Sequence, residues 1–507
     1  MAIKVFTAAF SGISGIMVTV EIDIAKGLPN FNIVGLADVS VKESKERVRA
    51  AIINSGYEFP VNRITVNLAP ADIKKDGSQF DLPIAIGILM ATGQINLCSS
   101  ETYLFIGELS LSGDIKKVKG ALPIILEGSD NNIKNFIVPS GNAKECSIIV
   151  QCNIYTFDTL RQIVNFLEYK DMLPYFDSLD SIKDTNDFDY DFEDVIGQES
   201  CKRAIEIAAA GGHNLILWGP PGSGKSMLAY RIPSILPSLS YEEALEVTKI
   251  YSVSGNLKEE GLVRNRPFRS PHHTSSNISL VGGGNNLTPG EISLAHNGVL
   301  FLDEILEFKK GVLEVLRQPL EDRSIKISRA NGSVVYPASF MLVGSLNPCP
   351  CGYYGSSSKP CNCSDYERNR YISKLSGPLL DRIDIFVYVN SLNFKEITTR
   401  TKAESSSAIK KRVDASRKLQ KQRFINTKIN CNAQMNMKQI SEHCKLDKDS
   451  TALLEKIYNK YHLSNRAYSR ILKISKTISD LNGNETISYA DIVEAINYRK
   501  FLEESII

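Results

Sequence analysis

The chain has 507 residues, of which 43% are hydrophobic and 23% are charged, as in an ordinary globular protein and unlike a disordered chain, a collagen-like fibre or a coiled-coil rod. The 59 basic and 57 acidic residues give a net charge of +2, which excludes a globally basic nucleic-acid binder but not local basic patches. No apolar run reaches the ~18 residues of a transmembrane helix, and the start lacks a secretory signal. We therefore expect a cytoplasmic protein with reduced thiols, no membrane partner and, at roughly 100–200 residues per domain, about three domains.

The first of these predicted domains, residues 1–167, combines strands and helices. Strands are expected at 18–24, 63–68 and 135–139 from alternating or continuous apolar residues. Apolar residues at helical spacing predict helices at 40–55 and 83–93. This mixture predicts an α+β fold.

An acidic segment follows at 168–194, which contains ten acidic residues and only two lysines, a pattern typical of a solvated linker. In the next part, 195–392, helical and strand patterns alternate, which predicts an α/β fold. Its expected elements are a helix at 199–210 and strands at Leu215–Trp218, 298–302 and 340–345. The last part, 393–507, predicts a strongly basic helix at 396–423 and then a small helical bundle.

Residues 219–226 read GPPGSGKS and fit the phosphate-binding pattern G-x-x-x-x-G-K-[ST]. The segment follows an apolar strand and opens a helix, so its backbone N–H groups and the helix N-terminus face one point. Lys225 is expected to reach the β- and γ-phosphates of ATP, and Ser226 to ligate Mg²⁺. The predicted nucleotide-binding residues are Gly219, Pro220, Pro221, Gly222, Ser223, Gly224, Lys225 and Ser226.

Two further strands end in polar residues that complete such a site. The apolar run at 299–302 ends at Asp303, which is expected to hold Mg²⁺, and at Glu304, which is expected to orient and deprotonate the attacking water. Another apolar strand ends at Asn347, which suits positioning of the water and the γ-phosphate. An ordinary Asn-Pro turn is the alternative for Asn347, since a proline follows.

With these elements in this order, the chain resembles the magnesium-chelatase-like ComM/YifB family of AAA+ ATPases along nearly its whole length. The motifs that carry the resemblance lie at 266–274 (RPFRSPHHT), 281–284 (VGGG), 289–298 (PGEISLAHNG), 316–323 (LRQPLEDR), 375–384 (LSGPLLDRID) and 463–473 (LSNRAYSRILK). The resemblance implies an α/β AAA+ P-loop domain, a C-terminal helical lid and an N-terminal α+β domain like that of Lon protease, of the ribosomal S5 domain 2-like type.

The resemblance also implies roles for two arginines. Arg382 matches the arginine finger that reaches a neighbouring subunit's γ-phosphate, although residue chemistry alone would make it a surface arginine between two aspartates. Arg466 matches sensor 2 on the lid, in its own subunit or a neighbour's, with Arg470 a less favoured candidate. A finger that acts between subunits implies a ring, and we expect a homo-hexamer.

DNA is the expected partner. Residues 324–336 read as a hairpin around Asn-Gly that carries Lys326 and Arg329, and the family resemblance implies that it projects into the ring's channel. Arg266 and Arg269 lie in the family's insert, also expected near the channel. The alternative is a solvated hairpin with ordinary surface charge, and the basic helix is a weaker candidate contact.

The implied function is an ATP-driven DNA motor, with single-stranded or branched DNA as substrate. Its closest analogy is a helicase that promotes branch migration in recombination and natural transformation. Two alternatives remain: a motor subunit of a metal chelatase, and a protein that uses nucleotide only to assemble, with a protein client.

Four cysteines are clustered at Cys349, Cys351, Cys361 and Cys363. Four soft ligands in two pairs fit a structural tetrahedral Zn²⁺ site, but their C-x-C spacing is tighter than usual. Four reduced thiols are an equally weighted alternative.

The N-terminal domain departs from the Lon pattern at its catalytic dyad. The segment 75–81 (KDGSQFD) resembles the Lon nucleophile motif but has Gln79 at the serine's place, with Ser78 one position early. Leu122 occupies the place of the lysine. A one-residue shift on a strand reverses the side chain's direction, so we expect no peptidase activity.

Overall fold

The structure, a computed structural model, describes residues 2–95, 102–176, 188–258, 261–284, 286–329, 332–355, 359–392, 403–427, 429–461 and 463–499. Within these ranges, no helix combines the length and the apolarity needed to cross a membrane.

The N-terminal domain is built on a mixed sheet. Its strands are β1 (Ile3–Ser11), β2 (Ser14–Ala25), β3 (Asn30–Val34), β4 (Arg63–Ala69), β5 (Tyr103–Phe105), β6 (Glu108–Leu109), β7 (Ile115–Lys116), β8 (Asn135–Pro139) and β9 (Asn153–Phe157). Seven of them form one sheet in the order β3-β4-β2-β1-β5-β8-β9, and β6 pairs with β7. The helices are α1 (Val39–Asn54), α2 (Asp81–Ala91), α3 (Ala121–Asp130), α4 (Ala143–Cys146) and α5 (Leu160–Tyr169). The predicted helices and two of the three predicted strands are confirmed to within two residues; the strand expected at 18–24 is longer.

The next part of the chain alternates helices and strands. The helices are α6 (Glu199–Gly211), α7 (Lys225–Ile235), α8 (Tyr241–Ser254), α9 (Asn277–Val281), α10 (Glu291–Leu294), α11 (Lys310–Glu314), α12 (Arg317–Asp322), α13 (Asp365–Ile372) and α14 (Gly377–Leu380). The strands are β10 (Leu215–Trp218), β11 (Phe268–Arg269), β12 (Gly282–Gly283), β13 (Thr288–Pro289), β14 (Val299–Leu302), β15 (Ser324–Arg329), β16 (Gly332–Pro337), β17 (Met341–Leu346) and β18 (Ile385–Tyr388). Five strands form a sheet in the order β11-β14-β17-β10-β18.

All neighbours in this five-stranded sheet are parallel. The strands are almost fully apolar and buried, as expected for a parallel sheet with both faces covered. Because β14, β17 and β10 are adjacent and parallel, the loops that follow them meet at one edge. This α/β architecture fits the AAA+ P-loop fold.

The C-terminal part of the described chain is helical. Its helices are α15 (Ser406–Arg423), α16 (Met437–His443), α17 (Lys448–Tyr461), α18 (Asn465–Leu481) and α19 (Tyr489–Asn497). Their apolar side chains join those of α6 and β10 in a single hydrophobic core. The basic helix is confirmed over 406–423, whereas 393–402 lie outside the described residues.

The segment expected to be an acidic linker differs at both ends. Helix α5 continues to Tyr169. At the other end, Phe192 is fully buried in the core shared with the C-terminal helices, and Arg231 donates to the backbone oxygen of Asp191 at 2.7 Å. The packed α/β part therefore begins before residue 195, because one aromatic side chain anchors the end of the acidic run. Residues 177–187 lie outside the described part.

The N-terminal domain touches the β15–β16 hairpin. At the tight turn between β1 and β2, Gly12 has a φ of +61°, and a Cβ there would lie 2.5 Å from Cγ1 of Val334. The neighbouring Ile13 packs against the apolar cluster to which the hairpin contributes. The N-terminal domain also contacts helix α8, where the backbone N–H of Gly120 donates to the backbone oxygen of Ser252 at 3.1 Å.

Candidate functional site

The loop between β10 and α7 forms a phosphate-sized cradle. Gly222 and Gly224 have φ values of +74° and +93°, a left-handed conformation that glycine adopts without strain. Gly224 is the N-cap of α7, so the free N–H groups of the first helical turn point towards the loop. Lys225 donates to the backbone oxygens of Gly219 at 2.8 Å and Pro220 at 2.9 Å.

The acidic pair after β14 lies next to this loop. Ser226 Oγ donates to Asp303 Oδ2 at 2.9 Å, which joins the two predicted Mg²⁺ ligands directly. Glu304 is exposed and has a φ of +49°. Its backbone N–H donates to Ser345 Oγ at 2.9 Å, while the Ser345 hydroxyl donates to Asp303. Ser345 thus fixes the turn that presents Glu304.

Asn347, at the end of β17, reaches the same point. Its Oδ1 accepts a hydrogen bond from Lys225 Nζ at 3.1 Å. Burial lowers the pKa of Lys225, and the carboxylates of Asp303 and Glu304 limit the decrease. The structure therefore brings together Lys225, Ser226, Asp303, Glu304 and Asn347.

The residues fit Mg²⁺-ATP. Lys225 donates to backbone oxygens at the position where phosphate oxygens would compete for it, and a hydroxyl and a carboxylate are the hard oxygen ligands that Mg²⁺ takes. The Ser223 hydroxyl in the same loop is buried and has no hydrogen-bond partner among the described residues. An acceptor in the cradle would satisfy it.

Arg382 and Arg466 lie together and share one carboxylate. Arg382 forms an ion pair with Glu321 of α12 and donates to the Pro378 oxygen at 2.5 Å. Arg466, at the start of α18, lies 3.7 Å from Glu321 and is 59% exposed. Within the described residues, neither arginine bonds to the phosphate-binding loop of its own chain. Glu321 lies in the family motif at 316–323, but no local pattern predicts its partners, because they lie in distant segments.

Arg470 has a structural partner instead. Its guanidinium lies 2.5 Å from Asp384, which is buried before β18. Burial would raise the pKa of Asp384, but Arg470 and His213 hold that pKa well below its usual range. Arg470 therefore ties helix α18 to the segment just before β18.

The β15–β16 hairpin has one buried face and one exposed face. Ile325, Ile327 and Tyr336 point into the core, and Lys326 and Arg329 are exposed. No ion pair to either cation occurs among the described residues. The tip of the hairpin, residues 330 and 331, lies outside the described residues. Position 331 is the asparagine of the predicted Asn-Gly turn.

Arg266 and Arg269, the two predicted DNA contacts outside the hairpin, are bonded within the chain. Arg266 is largely buried, donates to the oxygens of Pro237 and Asn297 at 2.6 and 2.7 Å, and pairs with Glu243 at 2.9 Å. Arg269 forms a two-pronged pair with Glu291, at 2.6 and 2.8 Å. Both guanidinium groups are engaged by the protein itself, and their contact with DNA stays a prediction.

The four cysteines of the cluster converge. Their Sγ atoms all lie within 4.8 Å of one another, with Cys349 buried and the other three partly exposed. Burial raises the pKa of Cys349 to about 12, whereas a backbone hydrogen bond from Tyr353 lowers that of Cys351 to about 6.

In the segment of the N-terminal domain that resembles the Lon nucleophile motif, the side chains form hydrogen bonds to other partners. The Ser78 hydroxyl donates to Glu108, and Lys75 donates to the Pro70 oxygen. Gln79 and Leu122 are buried. No serine–lysine hydrogen bond forms at this position within the described residues; both the Lon kinship and the lack of peptidase activity stay predictions.

Comparison with protein families covers most of the chain. Residues 191–397 match the family described as magnesium chelatase, subunit ChlI. Residues 20–142 match the description subunit ChlI of Mg-chelatase, and residues 403–499 match magnesium chelatase, subunit ChlI C-terminal.

Individual relatives match along the full length. The chain is 42% identical to the competence protein ComM of Haemophilus influenzae, over 98% of this chain and 97% of ComM. It is 43% identical to YifB of Escherichia coli, over 98% and 96% of the two chains. The magnesium-chelatase 67 kDa subunit of Chlorobaculum tepidum is 27% identical over only 31% of this chain and 23% of that protein. The chain therefore belongs to the magnesium-chelatase-like ComM/YifB family of AAA+ ATPases.

Proposed function

We propose that the chain is the subunit of an ATP-hydrolysing ring motor that acts on DNA, a helicase that promotes branch migration in recombination and natural transformation. The observation that carries the ATPase part is the meeting of Lys225, Ser226, Asp303 and Glu304 at the carboxyl edge of β10 and β14. The name and full-length similarity of the competence protein ComM support the DNA part.

Each residue at the edge has a distinct task. Bound Mg²⁺-ATP supplies the phosphoanhydride bond that is broken. The loop's N–H groups and Lys225 bind the phosphates, and Ser226 and Asp303 would hold Mg²⁺, which would neutralise charge on the phosphate oxygens. Glu304 accepts a proton from the attacking water, and Ser345 holds its backbone in place for this. Asn347 positions the water from the neighbouring strand.

The two arginines act between subunits. Because Arg382 and Arg466 lie together at Glu321 and bond to no part of their own loop within the described chain, both suit a neighbour's γ-phosphate. Such head-to-tail contacts close into a ring, and we propose a homo-hexamer.

DNA contacts come from the β15–β16 hairpin. Lys326 and Arg329 are exposed cations on a rigid element whose other face is anchored in the core. Contacts to phosphates make binding independent of sequence and sensitive to salt.

ATP hydrolysis with single-stranded, duplex and four-way-junction DNA tests this function. We expect stimulation by DNA that weakens as salt rises. Glu304→Gln should lower turnover by at least ~100-fold while ATP still binds, because the general base is lost. ATP turnover that is indifferent to every DNA would contradict the DNA part, and no turnover in the wild type would leave a protein that uses nucleotide only to assemble.

A chelatase-type motor subunit is the second candidate. The family descriptions and the partial match to the 67 kDa subunit favour it. The full-length similarity to ComM favours the DNA motor, because the chelatase match covers under a third of the chain.

A further inference from the structure

We propose that Cys349, Cys351, Cys361 and Cys363 form a closed Zn²⁺ site that braces the nucleotide-binding loop. The Sγ atom of Cys349 lies 3.3 Å from that of Cys351 and 3.7 Å from that of Cys361, and the latter two are 3.6 Å apart. A tetrahedral zinc with Zn–S bonds of about 2.3 Å requires S···S distances of about 3.8 Å. The thiols are therefore spaced as ligands of one ion.

Other arrangements of four cysteines fit these distances less well. A disulfide brings its sulfurs to about 2.05 Å, far closer than any pair here. An iron–sulfur cube holds its four cysteines on separate irons and spreads them more widely. Four soft ligands around one point, with no open position, are typical of a structural zinc site.

Backbone N–H groups donate to two of the four sulfurs. The N–H of Tyr354 donates to Cys349 Sγ at 3.4 Å, and the N–H of Cys363 donates to Cys361 Sγ at 3.4 Å. Such donors stabilise the thiolates that zinc binds. Gly352, with a φ of +84°, closes the turn after Cys351 through a 2.9 Å bond to the Cys349 oxygen.

A cation offsets the charge of the site. Zinc with four thiolates carries a net charge of −2. Arg368 of α13 donates to the Cys363 oxygen at 2.9 Å, and its guanidinium lies 4.2 Å from the centre of the Tyr354 ring. Arg368, which also pairs with Asp365, thus joins the two halves of the cluster and places a guanidinium beside it.

The cluster also touches the nucleotide site. A Cβ at position 352 would lie 2.6 Å from Cδ of Pro221 and 3.9 Å from Cγ of Asn347. Asn347 is two residues before Cys349, so one turn links the water-positioning amide to the first ligand. Zinc would fix this turn against Pro221. This bracing role rests on the proposed ATPase function, whereas metal binding does not.

Metal content tests the site directly. Full-length protein, purified with a reductant and without chelator, should hold about one zinc per chain by mass spectrometry. Cys361→Ser and Cys363→Ser should each lose it, and Cys152→Ser, outside the cluster, should keep it. Wild-type protein without zinc, or cluster variants that retain it, would overturn the proposal.

Two measurements keep the test valid if a variant misfolds. Cobalt-loaded wild type should show the intense visible bands and sulfur-to-metal charge transfer of tetrahedral thiolate coordination. A mercurial reagent should release the zinc from the native protein. Absence of both signals would contradict the site even without variants.

The bracing role has its own measurement. Binding of a fluorescent ATP analogue should weaken several-fold in folded, zinc-free Cys361→Ser. Unchanged affinity would overturn the bracing and leave the metal site standing. Failure of the zinc-loaded wild type to bind the analogue would instead contradict the proposed ATPase function.

Discussion

Glu321 is a surface carboxylate with two cationic partners, Arg382 and Arg466. These are the two groups proposed to reach a neighbour's nucleotide. In the single chain Glu321 competes with that nucleotide for both of them, and the side-chain hydrogen bond from Arg382 lowers the pKa of Glu321. The carboxylate is therefore ionised at neutral pH, and in the proposed ring it would hold the two arginines until a neighbour's phosphate replaced it.

Glu321→Gln should consequently raise ATP turnover at low protein concentration by a few-fold, because the arginines are released for assembly. Folding stability should change by no more than ~1 kcal/mol, since the Glu321 side chain that is altered is 56% exposed. Turnover measured against protein concentration checks this, with Arg382→Ala as the inactive control. A loss as large as that of Arg382→Ala would mean that Glu321 positions the finger in the active ring.

Asp384 is a buried carboxylate on which the C-terminal helices depend. Asp384→Asn would leave Arg470 without its charge partner, and we expect a loss of about 3–5 kcal/mol at pH 7. Thermal unfolding should show this as a lower midpoint, whereas Asp381→Asn nearby should change little.

The pH dependence of this interaction follows from the sign of the pKa shift. The folded pKa of Asp384 lies below the unfolded value of about 3.9, so its stabilisation is fully present above that pH and is lost as pH falls through the folded pKa. Between pH 5 and 8, the difference between wild type and Asp384→Asn should not shrink, because Asp384 stays ionised across this range. A difference that shrinks towards pH 5 would contradict the assignment.

The role of a residue could be predicted where it depends on a local sequence pattern. It could not be predicted where it depends on partners that are distant in the sequence. Lys225, Ser226 and Asp303 follow from spacing and from strand ends. Ser345 carried a weak signal, a hydroxyl near the end of a buried apolar strand. Arg266 looked available because no local pattern shows that distant backbone oxygens bind it.

At the level of elements, strands and helices with strong patterns were predictable. Leu215–Trp218 begins and ends where its apolar run does, because Gly and Pro follow. The end of the acidic segment was not predictable, since the burial of Phe192 depends on helices that come 200 residues later. The high density of acidic residues predicted a solvated segment but gave no indication that Phe192 is buried.

The β15–β16 hairpin allows a direct test of the DNA interface. Removing the exposed cations with Lys326→Ala and Arg329→Ala should weaken DNA binding for all sequences alike. Each lost phosphate contact should reduce the slope of log K against log salt by about 0.9 on duplex DNA. Lys456→Ala, an exposed lysine on helix α17, is the matched control. Unchanged slopes in both hairpin variants would place the DNA elsewhere.

At the scale of the whole molecule, the proposed ring would make the active site a shared property of two chains. Lys225→Ala and Arg382→Ala should each be inactive alone. Mixed in equal amounts, they should regain activity, because about one interface in four then pairs an intact loop with an intact finger. Continued inactivity after confirmed subunit exchange would mean that Arg382 serves its own chain.

The contact of Gly12 with Val334 has a mechanical consequence. The turn that leads from the first strand of the chain to the second lies against the hairpin, with no room for a side chain between them. The N-terminal domain and the hairpin are therefore mechanically coupled through this contact. A ligand that displaced the β1–β2 turn would therefore also displace the hairpin without ATP, and a force on the hairpin would be transmitted to that turn.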